Sequence, residues 1–388
     1  MSALFYSALE KYCDKNKLNI NVKKTQLVHF RRGGRATSEQ FFLCNQKLDM
    51  VKSYTYLGAT LSSSTMGKTA AEAAIKKGKF ALSSALQSLN RSRADSWDGM
   101  VKLFDGVVSS ALLYSAEVWG LKYTEQLEIV QSTFFKKLLS LPQGTPNAHL
   151  GLELGLVKLS SRVFRRAWSL IIKILQLPDS RYSKICLLRL IHLHGENPAY
   201  CEYNWVSQFD KMLKCINMSH LWDCRSHTDW EHSRLIAFQR FDRYLKFSDV
   251  LYCADKSELM YCKILRSLHD KTAAYLQNRT YFYMSKIIAQ LRLSSKHVVR
   301  FCMKGEIFNF NQNSSCKFCT QCVIETPMHF LFECPLYAPL RLKYLDQFVC
   351  LCDGNYQTIM NCLDFSILKP LYFYIVNALR LRSTVCTD

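Results

Sequence analysis

The sequence predicts an α+β chain dominated by helices. Three observations carry this reading. Strand-like runs rich in aromatic and β-branched residues fall within the first 66 residues. From about Thr69 the apolar residues recur at helical spacing. Near the C-terminal side, four cysteines and one histidine crowd between Cys316 and Cys334, the mark of a small metal-held module. The predicted parts are a small β-hairpin region at 1–66, a helical bundle at 67–145, a helical basic region at 146–305, a cysteine and histidine module at 306–345 and a helical tail at 346–388.

Each part is dictated by its residues. Phe5, Ala8, Leu9 and Tyr12 share one side of a helix over residues 2–13. Gln26–Phe30, Gln40–Leu43 and Lys52–Leu61 read as strands, and RRGGR at 31–35 as a flexible basic loop broken by two glycines. Helices are expected over 70–90, 98–120 and 123–140, the last stopped by Leu141-Pro142-Gln143-Gly144. The clearest helix spans 158–177. Arg162, Arg165, Arg166 and Lys173 gather on one side, and Val163, Phe164, Ala167, Trp168, Leu170, Ile171, Ile174 and Leu175 on the other. The basic side carries no acid, as a phosphate-contacting face would, although a solvated surface reads the same way. Residues 180–310 look helical, and the span from Tyr281 to Lys304 holds Lys286, Arg292, Lys296, Arg300 and Lys304 without an acid, a second candidate phosphate track.

Charge bounds the partners. A net charge of +20 over 388 residues attracts polyanions at long range. Nucleic acid, RNA or DNA, is the expected partner. A membrane is not, since no lipidation motif is present and the longest apolar stretches are about ten residues, too short to span a bilayer. The start MSALFYSALEKYCDK is not a secretory signal, so an intracellular protein is expected, with its 17 cysteines mostly reduced.

The cysteine cluster has metal-ligand spacing. A C-x2-C turn aims two thiolates at one point, and Zn²⁺ takes four such ligands in a tetrahedron. Cys316 and Cys319 form that pair, and His329 and Cys334, about one helical turn apart, complete a CCHC set. Cys319 and Cys322 have the same C-x2-C spacing, so a shifted set is an alternative, as are buried thiols without metal. A closed site of this kind is structural: it supports nucleic-acid binding and gives no catalysis.

Four segments in this order resemble the C-terminal half of the polymerase polyprotein of non-LTR (LINE-type) retrotransposons. LNINVKKTQLVHFRRGGR (Leu18–Arg35) is similar to the segment after the catalytic centre of these reverse transcriptases. SYTYLGATL (Ser53–Leu61) is similar to their primer-grip hairpin, while LLYSAEVWG (Leu112–Gly120) and LPQGTPNAHLGLELGLVKL (Leu141–Leu159) resemble the helical thumb and the segment beyond it. The CKFC to ECPLYAPLR stretch resembles their C-terminal zinc knuckle. The resemblance implies a palm remnant at 1–66, a thumb at 67–145 and a zinc knuckle at 306–345. It implies nucleic-acid contacts by Lys24, Tyr56, Leu57 and Gly58. The basic residues Arg31, Arg32 and Arg35 extend the first of these, and Arg162, Arg165, Arg166 and Lys173 offer a further face. A nuclear or cytoplasmic ribonucleoprotein is the expected setting.

Polymerases hold two metal ions on carboxylates. In this family an Ala-Asp-Asp motif supplies them, and the sequence contains no Asp-Asp pair. Mg²⁺ is therefore expected only if a missing catalytic half is present. PDSRYSK (Pro178–Lys184) lacks partner acids and reads as a loop rather than a nuclease motif. The expected function is that of a truncated reverse transcriptase fragment that binds nucleic acid without polymerising. The alternatives are one part of an active RNA-directed DNA polymerase, or a host-adopted nucleic-acid-binding zinc protein.

Overall fold

The computed structural model describes residues 2–31, 34, 39–63, 67–196, 203–224, 226–255, 272–277, 281–293, 298–303, 305–311, 315–319, 322–346 and 365–385. These residues are predominantly helical, with small sheets, as the sequence predicts. No described helix is long and apolar enough to cross a membrane.

The N-terminal region opens with α1 (Ser2–Lys15). Among the described residues its strands form separate two-stranded ladders. β1 (Gln26–Leu27) pairs in parallel with β4 (Asp49–Met50), β2 (Phe42–Leu43) pairs with β3 (Gln46–Lys47), and β5 (Ser53–Tyr56) forms a hairpin with β6 (Ala59–Ser62). The strand expected over Gln26–Phe30 shrinks to two residues because its only described partner is equally short.

The helical part starts at Gly67, whose left-handed φ of +80° turns the chain into α2 (Lys68–Ser92). The helix expected over 98–120 divides into α3 (Trp97–Leu103), a π turn over Phe104–Ser109, α4 (Ser110–Leu112) and α5 (Ala116–Trp119). Ser115, at φ +55°, makes the break. Beyond it come α6 (Thr124–Leu139), α7 (Asn147–Leu154), α8 (Leu159–Leu175), α9 (Tyr182–Glu196), α10 (Trp205–Lys214) and α11 (His227–Asp255).

α8 lies at the centre. Its apolar side buries Phe164 and Trp168 against Phe209, Trp230, Phe238 and Phe241. The indole N–H groups are satisfied: Trp168 donates to the Trp230 carbonyl, Trp205 to that of Glu117 and Trp222 to the Asp210 carboxylate. Such pairing is what makes buried tryptophans stabilising.

The remaining part contains α12 (Ala274–Gln277), α13 (Phe282–Arg292), a hairpin of β7 (Val298–Met303) and β8 (Glu306–Asn311), α14 (Ala338–Tyr344) and α15 (Phe365–Val385). The β7–β8 hairpin corrects the all-helical expectation for 180–310. Its signal is present in the residues: Val299, Phe301, Ile307 and Phe310 belong to two β-rich runs split by Lys304-Gly305. α15 packs on α13 and α14, so the C-terminal helix and the cysteine and histidine module share one core. That buried core is continuous from Ala71 to Leu379.

Candidate metal centre and basic surfaces

Local pairing brings the ligand residues together. A single β-bridge joins Ser315 to Ile324, and the Cys316 N–H donates to the Val323 carbonyl at 2.7 Å. Between them the chain makes the turn that carries Cys316 and Cys319. It returns through Cys322, which sits at φ +52° and is exposed. The Thr326 hydroxyl then accepts from the His329 N–H at 3.0 Å, at the start of a π turn over His329–Glu333 that delivers Cys334.

The ligand atoms of Cys316, Cys319, His329 and Cys334 all lie within 4.8 Å of one another. The Cys319 sulfur is 3.4 Å from His329 Nε2. Tetrahedral zinc with bonds of about 2.3 Å to sulfur and about 2.0 Å to nitrogen has ligand edges of about 3.5 Å, so the set needs little contraction to close on an ion. The fit extends to burial, since Cys316, His329 and Cys334 are buried and Cys319 partly so. Burial and neighbouring thiols push the Cys334 thiol up to about 12, and burial raises Cys316 as well. Thiolates at these positions therefore need a cation to hold them. His329 Nδ1 is buried without a hydrogen-bond partner, and the Glu333 carboxylate lies 3.7 Å away, beyond hydrogen-bond reach. Cys322 stands outside the group. Among the described residues no second cluster of three or more His, Cys, Asp or Glu side chains is placed to hold a metal.

The hairpin tip of β5–β6 is exposed and held from below. Tyr56 is 59 % and Leu57 75 % exposed. Leu57 and Gly58 have φ of +47° and +84°, the two left-handed positions of a tight hairpin turn. Leucine is strained there. The Tyr114 hydroxyl donates to the Leu57 carbonyl, and Lys77 Nζ donates to that of Gly58 at 3.0 Å. Lys77 and Tyr114 are residues that sequence reasoning missed, because no local pattern links them to the hairpin. Phe80, one turn beyond Lys77 on α2, is 79 % exposed, with Lys76 and Lys79 exposed beside it. Lys24 is exposed in a short turn capped by the Asn21 side chain. The Arg31 guanidinium donates to the Gly34 carbonyl. Arg32 and Arg35 lie outside the described residues.

The basic side of α8 is not free of acids in the fold. Arg162 pairs with Asp105 at 2.7 Å and donates to the Ser109 hydroxyl at 3.1 Å. Arg165 pairs with Asp242 and lies over the Phe238 ring, 4.9 Å from its centroid. Arg166 donates to the Leu113 carbonyl at 2.6 Å and sits 3.8 Å from Glu117. Carboxylates from three other segments thus meet three of the four cations, which corrects the reading of an acid-free face. Lys173 is exposed at the rim of a shallow groove of ≈ 360 Å³ that Glu117, Arg165, Arg166 and Ser169 also line.

The second expected phosphate track is corrected at Arg292. Arg292 is buried and forms a forked ion pair with Glu153, with Nη2 to Oε2 at 3.0 Å. Its charge ties α13 to α7 inside the core. Burial lowers the Lys286 ammonium, and Arg300 is half-buried. Lys296 and Lys304 lie outside the described residues. No known family, curated protein or solved structure matches this chain.

Proposed function

We propose that the chain is a nucleic-acid-binding protein built around a structural zinc centre. The observation that carries it is the convergence of Cys316, Cys319, His329 and Cys334, whose ligand atoms lie within 4.8 Å. Zinc held by three thiolates and one imidazole is closed to water and substrate, so it acts on folding and not on chemistry. The polyanion partner rests on the net charge of +20, on exposed Tyr54 and Tyr56 of the β5–β6 hairpin, and on exposed Phe80 with Lys76 and Lys79 on α2. Exposed aromatic faces and cations suit single-stranded nucleic acid, where bases stack and phosphates pair. The resemblance to non-LTR retrotransposon reverse transcriptases supports the same partner and implies contacts at Lys24 and the hairpin tip, to which the exposed Lys173 of α8 adds a cation. We assign no nucleotidyl transfer: the sequence lacks the Asp-Asp pair the family uses, and primer extension by this chain is expected to show no incorporation.

Binding of labelled single-stranded RNA and DNA across a salt series tests this reading. Affinity should fall with a log–log slope of roughly −0.7 per phosphate contacted. Lys76→Glu with Lys79→Glu should weaken binding and flatten the slope. Salt-independent binding, or none, would overturn it.

A further inference from the structure

Both halves of the ligand set are tied to a single side chain of the last described helix. Arg382, on α15, forks onto the Glu325 carboxylate, with Nη2 to Oε2 at 3.1 Å and Nη1 on Oε1. The two side chains are only 12 % and 7 % exposed. The guanidinium lies over the rings of both Phe310 and Phe318, each with its centroid 4.2 Å away. Phe318 is one of the two residues between Cys316 and Cys319. Glu325 lies four residues before His329, at the entry to the turn that delivers His329 and Cys334. Two turns earlier on α15, the Tyr374 hydroxyl donates to the carbonyl of Phe330, next to His329.

The ligand-bearing loops have little regular structure of their own: one β-bridge and two short turns. A buried, planar cation with fixed donors is a rigid anchor for such loops. In return, Arg382 has no other carboxylate partner among the described residues than Glu325. We propose that Arg382 is a positioning residue of the metal centre, so that metal binding and the seating of the C-terminal end of α15 are one linked event. Linkage is reciprocal: a metal that orders the loops holds the helix end, and a seated helix end raises metal affinity. The inference rests on the metal reading of the cysteine and histidine group and goes beyond it.

The test uses the full chain. Zinc content and competition against a colorimetric chelator are measured for wild type, Cys319→Ser, Arg382→Gln, Arg382→Lys and Arg380→Gln, the last an exposed control on the same helix. Amide hydrogen exchange is followed with and without chelator. Arg382→Gln should bind zinc about 10–100-fold more weakly, the effect expected when a residue orienting metal ligands is lost. Arg382→Lys should remain weakened, because an ammonium can neither fork nor stack, and Arg380→Gln should match wild type. Chelation of wild type should release amides at 376–383 together with those at 316–334 and leave α8 protected. Wild-type affinity in Arg382→Gln, or continued protection of 376–383 after zinc is removed, would overturn the linkage. The chelation arm needs no variant, so it decides the matter even where Arg382→Gln fails to fold. Wild type that binds no zinc would instead sink the metal reading, a result distinct from failure of the linkage alone.

Discussion

Burial holds the His149 imidazole at about 4, below the 6.5 of a free histidine, so the fold keeps it neutral. Between those values the unfolded chain binds a proton that the folded chain does not. Stability is therefore complete above about pH 6.5 and falls as pH drops toward 4. The gap from 6.5 to about 4 corresponds to about 3 kcal/mol. Urea unfolding from about pH 7 to about pH 4 should show wild type losing about 3 kcal/mol more than His149→Leu, which has no proton to gain. Parallel losses in the two proteins would show that His149 titrates normally. Arg292 and Glu153 are buried as a pair. Two ions at 3 % and 0 % exposure persist because each is the other's partner. A basic residue counted as surface charge in the sequence is here a core contact.

Among the helices, close approach outweighs propensity. Gly78 lies buried in the middle of α2, where alanine would ordinarily favour helix by roughly 1 kcal/mol. A Cβ at Gly78 would sit 2.2 Å from Cδ2 and 2.5 Å from Cγ of Leu112, which is fully buried on α4. Gly78→Ala is therefore expected to destabilise by up to about 2 kcal/mol net, since overpacking costs roughly 1–3 kcal/mol and the propensity gain offsets roughly 1 of it. Leu112→Ala in the same chain should offset part of that loss, giving a non-additive double-mutant cycle. Strictly additive effects would show that the two helices are not in contact there. The amphipathic pattern of α8 is legible in the residues because its apolar arc is broad and unbroken. The partners of its arginines are not, because Asp105, Glu117 and Asp242 lie on segments far away in sequence.

For the molecule as a whole, the continuous core begins at Ala71. The N-terminal ladders, each two strands wide, bury Cys13, Leu43 and Leu48 outside that core. Isolated two-stranded pieces are marginal in water, so these depend on the helices more than the helices depend on them. A chain beginning at Gly67 should keep its helical circular dichroism and a single cooperative unfolding transition. Loss of helicity on that deletion would show that the strands belong to the folding core. The net charge of +20 remains a property of the whole chain, but the fold spends some of the arginines on internal carboxylates, leaving lysines such as Lys76, Lys79 and Lys173 at the surface.

Local features are readable in the residue order. Helical periodicity marks α2, α6 and α8, the aromatic run at 53–62 marks a strand region, and the C-x2-C turn with His329 and Cys334 marks the four side chains that converge as candidate metal ligands. These depend on neighbours within a turn or two, where spacing fixes direction. Which cations are free, which ligand set closes and what steadies it depend on contacts between distant segments. Cys322 shares the spacing of Cys316, yet the bridge between Ser315 and Ile324 turns it outward. Arg382 lies 57 residues from Glu325, and only packing of α15 on the ligand loops brings the two together.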